Sequence, residues 1–178
     1  MENVKALVVT MNWVYIITYW PVIFLAAFVL FIKSRSDYNF YRTVVFINLA
    51  GALLIFMTFP VASPFAIPSV VLLDSIQEFG PKFYGSEDMS TFYNISAAMP
   101  SLHFSWTVIL GVLFWRSFPG NLRLIGLLYP FLTFFAITLT GNHFILDAVA
   151  GGTLAGFSFS VVLLLRATMW RHPTGLSA

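Results

Sequence analysis

Residues 144–165 read FILDAVAGGTLAGFSFSVVLLL. Apart from Asp147 the run carries no charge, and as a helix rising roughly 1.5 Å per residue it spans the ~30 Å hydrocarbon core of a bilayer. Working outward, uncharged stretches recur at 13–32, 43–59, 102–115 and 124–140. The stretches at 102–115 and 124–140 are short and reach a full crossing only if Ser101 and Phe118, or Leu122, are counted in. The sequence therefore predicts an all-α integral membrane protein: one domain over 1–178, folded as a bundle of five transmembrane helices with one long extracytoplasmic loop.

Composition agrees. Hydrophobic residues make up 59% of the 178 and charged ones 9%, against about 25% charged in soluble domains. The absence of Cys excludes a disulfide framework, a thiolate nucleophile and Cys-ligated metal. A net charge of +2 in such a chain reports topology and lipid headgroup contact, and no nucleic-acid signal is read. The N-terminus lacks the order of basic region, short apolar core and small-residue site that marks a cleaved leader, so the first apolar run is expected to stay as an anchor.

The connection between Pro60 and Pro100 also holds Pro64, Pro68 and Pro81, together with Asp74, Glu78, Lys82, Glu87 and Asp88. Prolines so spaced forbid one continuous helix. Its apolar part, 61–73, is too short to cross and is read as interfacial or re-entrant. With five spans, Lys33, Arg35, Arg42, Arg116, Arg123, Arg166 and Arg171 share one side, and Lys5 and Lys82 the other. By the positive-inside rule the N-terminus and the acidic connection then face away from the cytoplasm and the C-terminus faces it. The ladder Ala148, Gly152, Gly156 is expected to form a helix contact.

Three histidines occur; His172 lies in the basic tail, whereas His103 and His143 sit at the ends of apolar runs on the extracytoplasmic side. Asp147 within a span costs about 2.5 to 3.5 kcal/mol on insertion scales and so needs a partner. On a helix, residues four apart share a face, which puts Asp147 where it can accept a hydrogen bond from the His143 ring. That bond would fix the tautomer and leave the other nitrogen free, suited either to nucleophilic attack or to metal ligation. Zinc held by His103, His143 and Asp147 is the metal alternative. Ser101, in Met99-Pro100-Ser101-Leu102-His103, is placed to cap a helix whose free N–H groups would attract an anion, and His103, one turn in, to protonate a departing oxygen.

Ala98-Met99-Pro100-Ser101-Leu102-His103, followed by Gly141-Asn142-His143-Phe144-Ile145-Leu146-Asp147, resembles the type 2 phosphatidic acid phosphatase superfamily. Leu102 in place of a more usual glycine, and Asn142-His143 without the usual upstream Ser-Arg pair, look like the branch of inositol phosphorylceramide synthases (inositolphosphotransferase-like) and sphingomyelin synthases. Tyr41-Arg42, Phe59-Pro60, Ala62, Pro64 and Leu73-Asp74 extend the likeness, so that it covers residues 15–156. The resemblance implies a metal-free, cofactor-free enzyme of the plasma membrane or its equivalent, acting on a lipid phosphate or phospholipid. In it His143 attacks phosphorus to give a phosphohistidine, Asp147 orients it and His103 protonates the leaving group, while Ser101, Asn142 and Lys82 contact the phosphate. The superfamily's first motif supplies a lysine and an arginine; here Phe65 stands where relatives often carry arginine, leaving Lys82. Relatives usually have six spans and this sequence shows five, so a first helix is expected either to be missing or to be replaced by the apolar N-terminal stretch, which would bring the count to six. A catalytically degenerate, lipid-binding or partner-binding protein is the alternative. Oligomeric state is not legible.

Overall fold

A computed structural model describes residues 2–67, 75–80 and 96–171. Lys82, Asp74, Glu87, Asp88 and His172 lie outside them, as does 68–73 of the stretch expected to be interfacial. The described chain is helical: α1 (Glu2–Ile17), α2 (Trp20–Lys33), α3 (Arg35–Thr58), a 3-10 turn at Pro64–Ala66, α4 (Ser75–Phe79), α5 (Leu102–Ser117), a 3-10 turn at Gly120–Leu124, α6 (Ile125–Leu139) and α7 (Ile145–Arg171). The central α5 packs on α3, α6 and α7; α1 lies on α6 and α4, and α2 on α3.

Among the described residues four stretches are long and apolar enough to cross a membrane: Lys5–Lys33, Arg35–Thr58, Gly120–Leu139 and Ile145–Ala167, with mean hydropathy from 1.8 to 2.2. The remaining expected span, α5, has 16 residues, about 24 Å of helix, and is the most enclosed element, burying Ser105, Trp106, Thr107, Ile109, Leu110, Gly111 and Leu113. Burial is inverted as lipid demands. Asn12, Asn48, Ser105 and Ser158 are fully buried, while Phe24, Met57, Leu146 and Leu164 are 60% exposed or more. An apolar exterior costs nothing in hydrocarbon, whereas each polar group there needs an internal partner.

The first span differs from expectation. It begins as helix at Glu2 and breaks at Thr18–Tyr19, before Pro21. Proline has no N–H to give to the carbonyl four residues back, and its ring crowds that carbonyl. The Thr18 carbonyl exposed by the break accepts the Tyr129 hydroxyl of α6. A second proline, Pro130 inside α6, leaves the Gly126 carbonyl without its helical donor. There α5 and α6 close on each other through glycines: a Cβ on Gly111 would stand 2.5 Å from Gly126 O, and one on Gly126 would collide with Gly111 O.

The expected ladder on α7 is corrected by one register. Ala148 and Ala155 are fully buried, but the close contact between them is Gly151, where a Cβ would strike the Ser101 carbonyl oxygen. Gly152 meets only the Phe104 ring, and Gly156 has nothing within 4 Å. Strict steps of four drift around a helix of 3.6 residues per turn, whereas alternating steps of three and four hold one seam.

A polar knot ties the middle of the bundle. The Asn48 amide of α3 donates to Ser105 Oγ of α5 at 2.7 Å and to Ser158 Oγ of α7 at 3.3 Å, and Asn48 Oδ1 accepts the Trp106 indole N–H at 3.1 Å. Asn48→Ala is expected to destabilise the fold by about 1 to 2 kcal/mol, because three polar groups lose a partner where no water replaces it. Reversible unfolding in mixed micelles measures this; a loss indistinguishable from zero would show that the knot is energetically idle.

Candidate active site

The site forms where α5 and α7 both begin. Ahead of α5 the chain runs extended, with Val61 and Ala97 in a parallel bridge: Val61 N–H donates to Ser96 O and Ala98 N–H to Val61 O, each at 3.0 Å. Ser101 is the N-cap of α5, its Oγ accepting from Phe104 N–H at 3.3 Å, as cap residues do for the otherwise unpaired first N–H groups. Its own N–H donates to the Asp147 carbonyl at 3.0 Å. That bond, and Gly151 under the Ser101 carbonyl, hold the two helix starts side by side. Two positive helix ends converge there, a favourable environment for an anion.

His143 reaches this place through a turn. At the end of α6, Gly141 takes φ 74°, a left-handed conformation that favours glycine. Its N–H donates to Thr138 O at 3.2 Å, and His143 N–H returns to Ile137 O at 3.1 Å, folding the chain back across the helix end. Asn142 is buried in this turn, its amide donating to Thr140 Oγ1 at 2.9 Å. His143 consequently lies two residues before α7, not on its face as the i, i+4 reading assumed. Asp147 closes the start of α7, its Oδ2 accepting from Phe144 N–H at 2.8 Å, the reach-back of an acidic residue in the first turn.

The ring is held by backbone. His143 Nδ1 lies 2.9 Å from Ala98 O and 3.5 Å from Asp147 Oδ2. A carbonyl oxygen can only accept, so Nδ1 carries the proton and, in the neutral ring, Nε2 keeps its lone pair. Asp147, 2% exposed on its side chain, places its charge beside this ring while capping α7. The His103 ring centre stands 6.3 Å from that of His143, the planes tilted by 52°. Among the described residues no group of three His, Asp or Glu side chains converges as metal ligands would, so the zinc alternative gains no donor set.

The family model of the PAP2 superfamily matches residues 1–161. The chain belongs to the PAP2 superfamily. No curated protein and no solved structure matches it. Members of the PAP2 superfamily generally hydrolyse phosphate esters, which suggests a lipid phosphatase or phosphotransferase.

Around the PAP2 histidines the structure adds residues that the sequence did not single out. His103 is sandwiched between Tyr15 at 4.2 Å and Tyr19 at 4.0 Å, both stacked and both nearly buried. One turn above Tyr15, the Asn12 amide donates to Ser75 O at 2.6 Å, and the Ser75 hydroxyl lies 2.9 Å from both Asn12 Oδ1 and the Thr140 carbonyl. Thus α1, α4 and the turn bearing His143 are tied together. Asn12 and Tyr15 lie three apart on α1 and Tyr19 follows four residues later in the break; polar groups at that spacing in an apolar run were the available signal. Ala98 carries none, since a backbone carbonyl has no sequence signature. Of the expected phosphate contacts, Ser101 and Asn142 lie in the two turns just described, and Lys82 is outside the described residues. Phe65 sits in the 3-10 turn at Pro64–Ala66.

Proposed function

We infer that this PAP2 protein is a membrane phosphatase or phosphotransferase that acts on a lipid phosphate or phosphodiester through a phosphohistidine. The observation that carries the reading is the His143 ring, its Nδ1 engaged by Ala98 O and its centre 6.3 Å from His103. A nucleophile stands roughly 3 to 3.5 Å from the atom it attacks, and an acid about 2.6 to 3.2 Å from the oxygen it protonates. Rings this close can act on one phosphoryl group at their shared edge, His143 Nε2 facing phosphorus and His103 facing an ester oxygen.

In the first step His143 Nε2 forms a bond to phosphorus while the ester P–O bond breaks, and protonated His103 gives its proton to the departing alkoxide. In the second, water or an alcohol attacks phosphorus, neutral His103 takes its proton, and Nε2 departs. The carboxylate of Asp147 stabilises the cationic ring formed in between. Ser101 and Asn142 position the phosphate, aided by the two helix ends and by Lys82. Leu102 and Asn142-His143 favour the transferase branch similar to inositol phosphorylceramide and sphingomyelin synthases, with an alcohol as acceptor. The basic end of the five-span bundle faces the cytoplasm and the histidines the other side.

A brief reaction of the reconstituted protein with substrate labelled in its phosphate, quenched in alkali, is expected to leave acid-labile label on His143. Label that His143→Ala retains would overturn the assignment. Phe65, in place of a phosphate-binding arginine, favours one second reading, a degenerate lipid-binding or partner-binding member. Phosphate release or headgroup transfer by the intact chain would eliminate it.

A further inference from the structure

The other end of the bundle holds a cavity of about 670 Å³ between α2, α3, α5 and α7. Arg116 in its wall is thirteen residues along α5 from His103, roughly 20 Å away. Three cations from three helices line it, Lys33, Arg116 and Arg166, against one carboxylate, Asp37. That carboxylate is engaged at the start of α3, where Asp37 Oδ2 accepts the Ser34 hydroxyl at 2.8 Å. Arg166 is braced over the Phe40 ring at 4.5 Å and donates to Ser36 O at 3.4 Å. Among the described residues no carboxylate lies within ion-pair distance of any of the three cations.

Lys33 and Arg116 sit in the last turns of α2 and α5, where cations offset the negative helix ends. That accounts for each alone but not for the half-open cleft they share. A second feature defines the occupant. Leu30 and Tyr41, which wall the cavity, also wall an adjacent, mostly apolar groove of about 150 Å³ between α2, α3 and α5, beside Ala26 and Ile109. A compartment of positive charge directly beside an apolar one matches a molecule with an anionic head and a hydrocarbon tail, and free phosphate would use only the first.

We propose that this cavity is a binding site for an anionic phospholipid, its phosphate among Lys33, Arg116 and Arg166 and one chain along the groove, separate from the histidine site. Basic pockets between membrane helices hold such headgroups through attraction worth a few-fold in affinity per cation.

The test is thermal unfolding of the full chain in neutral detergent, titrated with phosphatidylglycerol, phosphatidylcholine or inorganic phosphate. Phosphatidylglycerol is expected to raise Tm saturably, and the other two not to do so at the same concentrations. Arg116→Gln should weaken the apparent affinity about fivefold and Lys33→Gln with Arg116→Gln about 25-fold. Asp37→Asn should tighten it, which keeps the test decisive if the arginine variant fails to fold. The shift should persist in His143→Gln. The proposal is overturned by an equal shift with inorganic phosphate, by indifference to the Asp37 and Arg116 substitutions, or by loss of the shift in His143→Gln.

Discussion

His143→Ala is expected to reduce phosphate release or headgroup transfer in proteoliposomes by at least about 10³-fold while leaving the protein folded. The magnitude follows from the proposed reaction route, in which loss of Nε2 removes the covalent intermediate and leaves only binding and the helix ends to act on the phosphate. The fold should tolerate the change because the ring contributes one neutral hydrogen bond, to Ala98 O, worth about 1 kcal/mol, and its neighbours Asn142 and Asp147 are anchored through other atoms. Activity and unfolding measured on the same preparation separate the two effects. Turnover within tenfold of the parent chain would remove His143 from the role of nucleophile.

Gly151→Val should damage both stability and turnover without touching a reacting group. A Cβ at 151 meets the Ser101 carbonyl, and the nearest further atom is the Ser105 N–H; both are backbone in the first turn of α5, which cannot swing aside as a side chain can. Either α5 and α7 separate or the start of α5 shifts, at about 1 to 3 kcal/mol of overpacking. The Ser101 N–H to Asp147 O bond spans the same place, so His103 would move relative to His143. Displacements near 1 Å cost about 10²-fold in rate, and a drop of that order is expected in the fraction that still folds. Gly156→Val, with open space around position 156, is the matched control and should change neither.

The helices were legible because charge-free length reports lipid directly: four of the five expected stretches coincide with helices able to cross, and α5 appears as the short central member. The break at Thr18–Tyr19 was also written in the sequence, as Pro21, but an apolar stretch overshadows one proline when length is the criterion. The α7 seam was misread by a residue because Gly152 and Gly156 look like a regular ladder, and only the approach of Ser101 distinguishes Gly151 from them. In the site, the two histidine motifs could be paired because they are the rare titratable groups of apolar runs. The spacing of Asn12, Tyr15 and Tyr19 could mark them as inward-facing, but the contact of both rings with His103 joins residues far apart in the chain, and no local pattern names that partner. The Ala98 carbonyl was beyond reach for a different reason, since every residue has one.

The bridge between Val61 and Ala97 brings the two ends of the long connection together, and Ser75 pins it again to Asn12 and Thr140. Closing a loop costs only about 0.6 kcal/mol more for each doubling of its length. Residues can thus be gained or lost on either side of Ser75 while the geometry of His103 and His143 is conserved. The length of the connection and the placement of the two histidines are therefore set independently of each other.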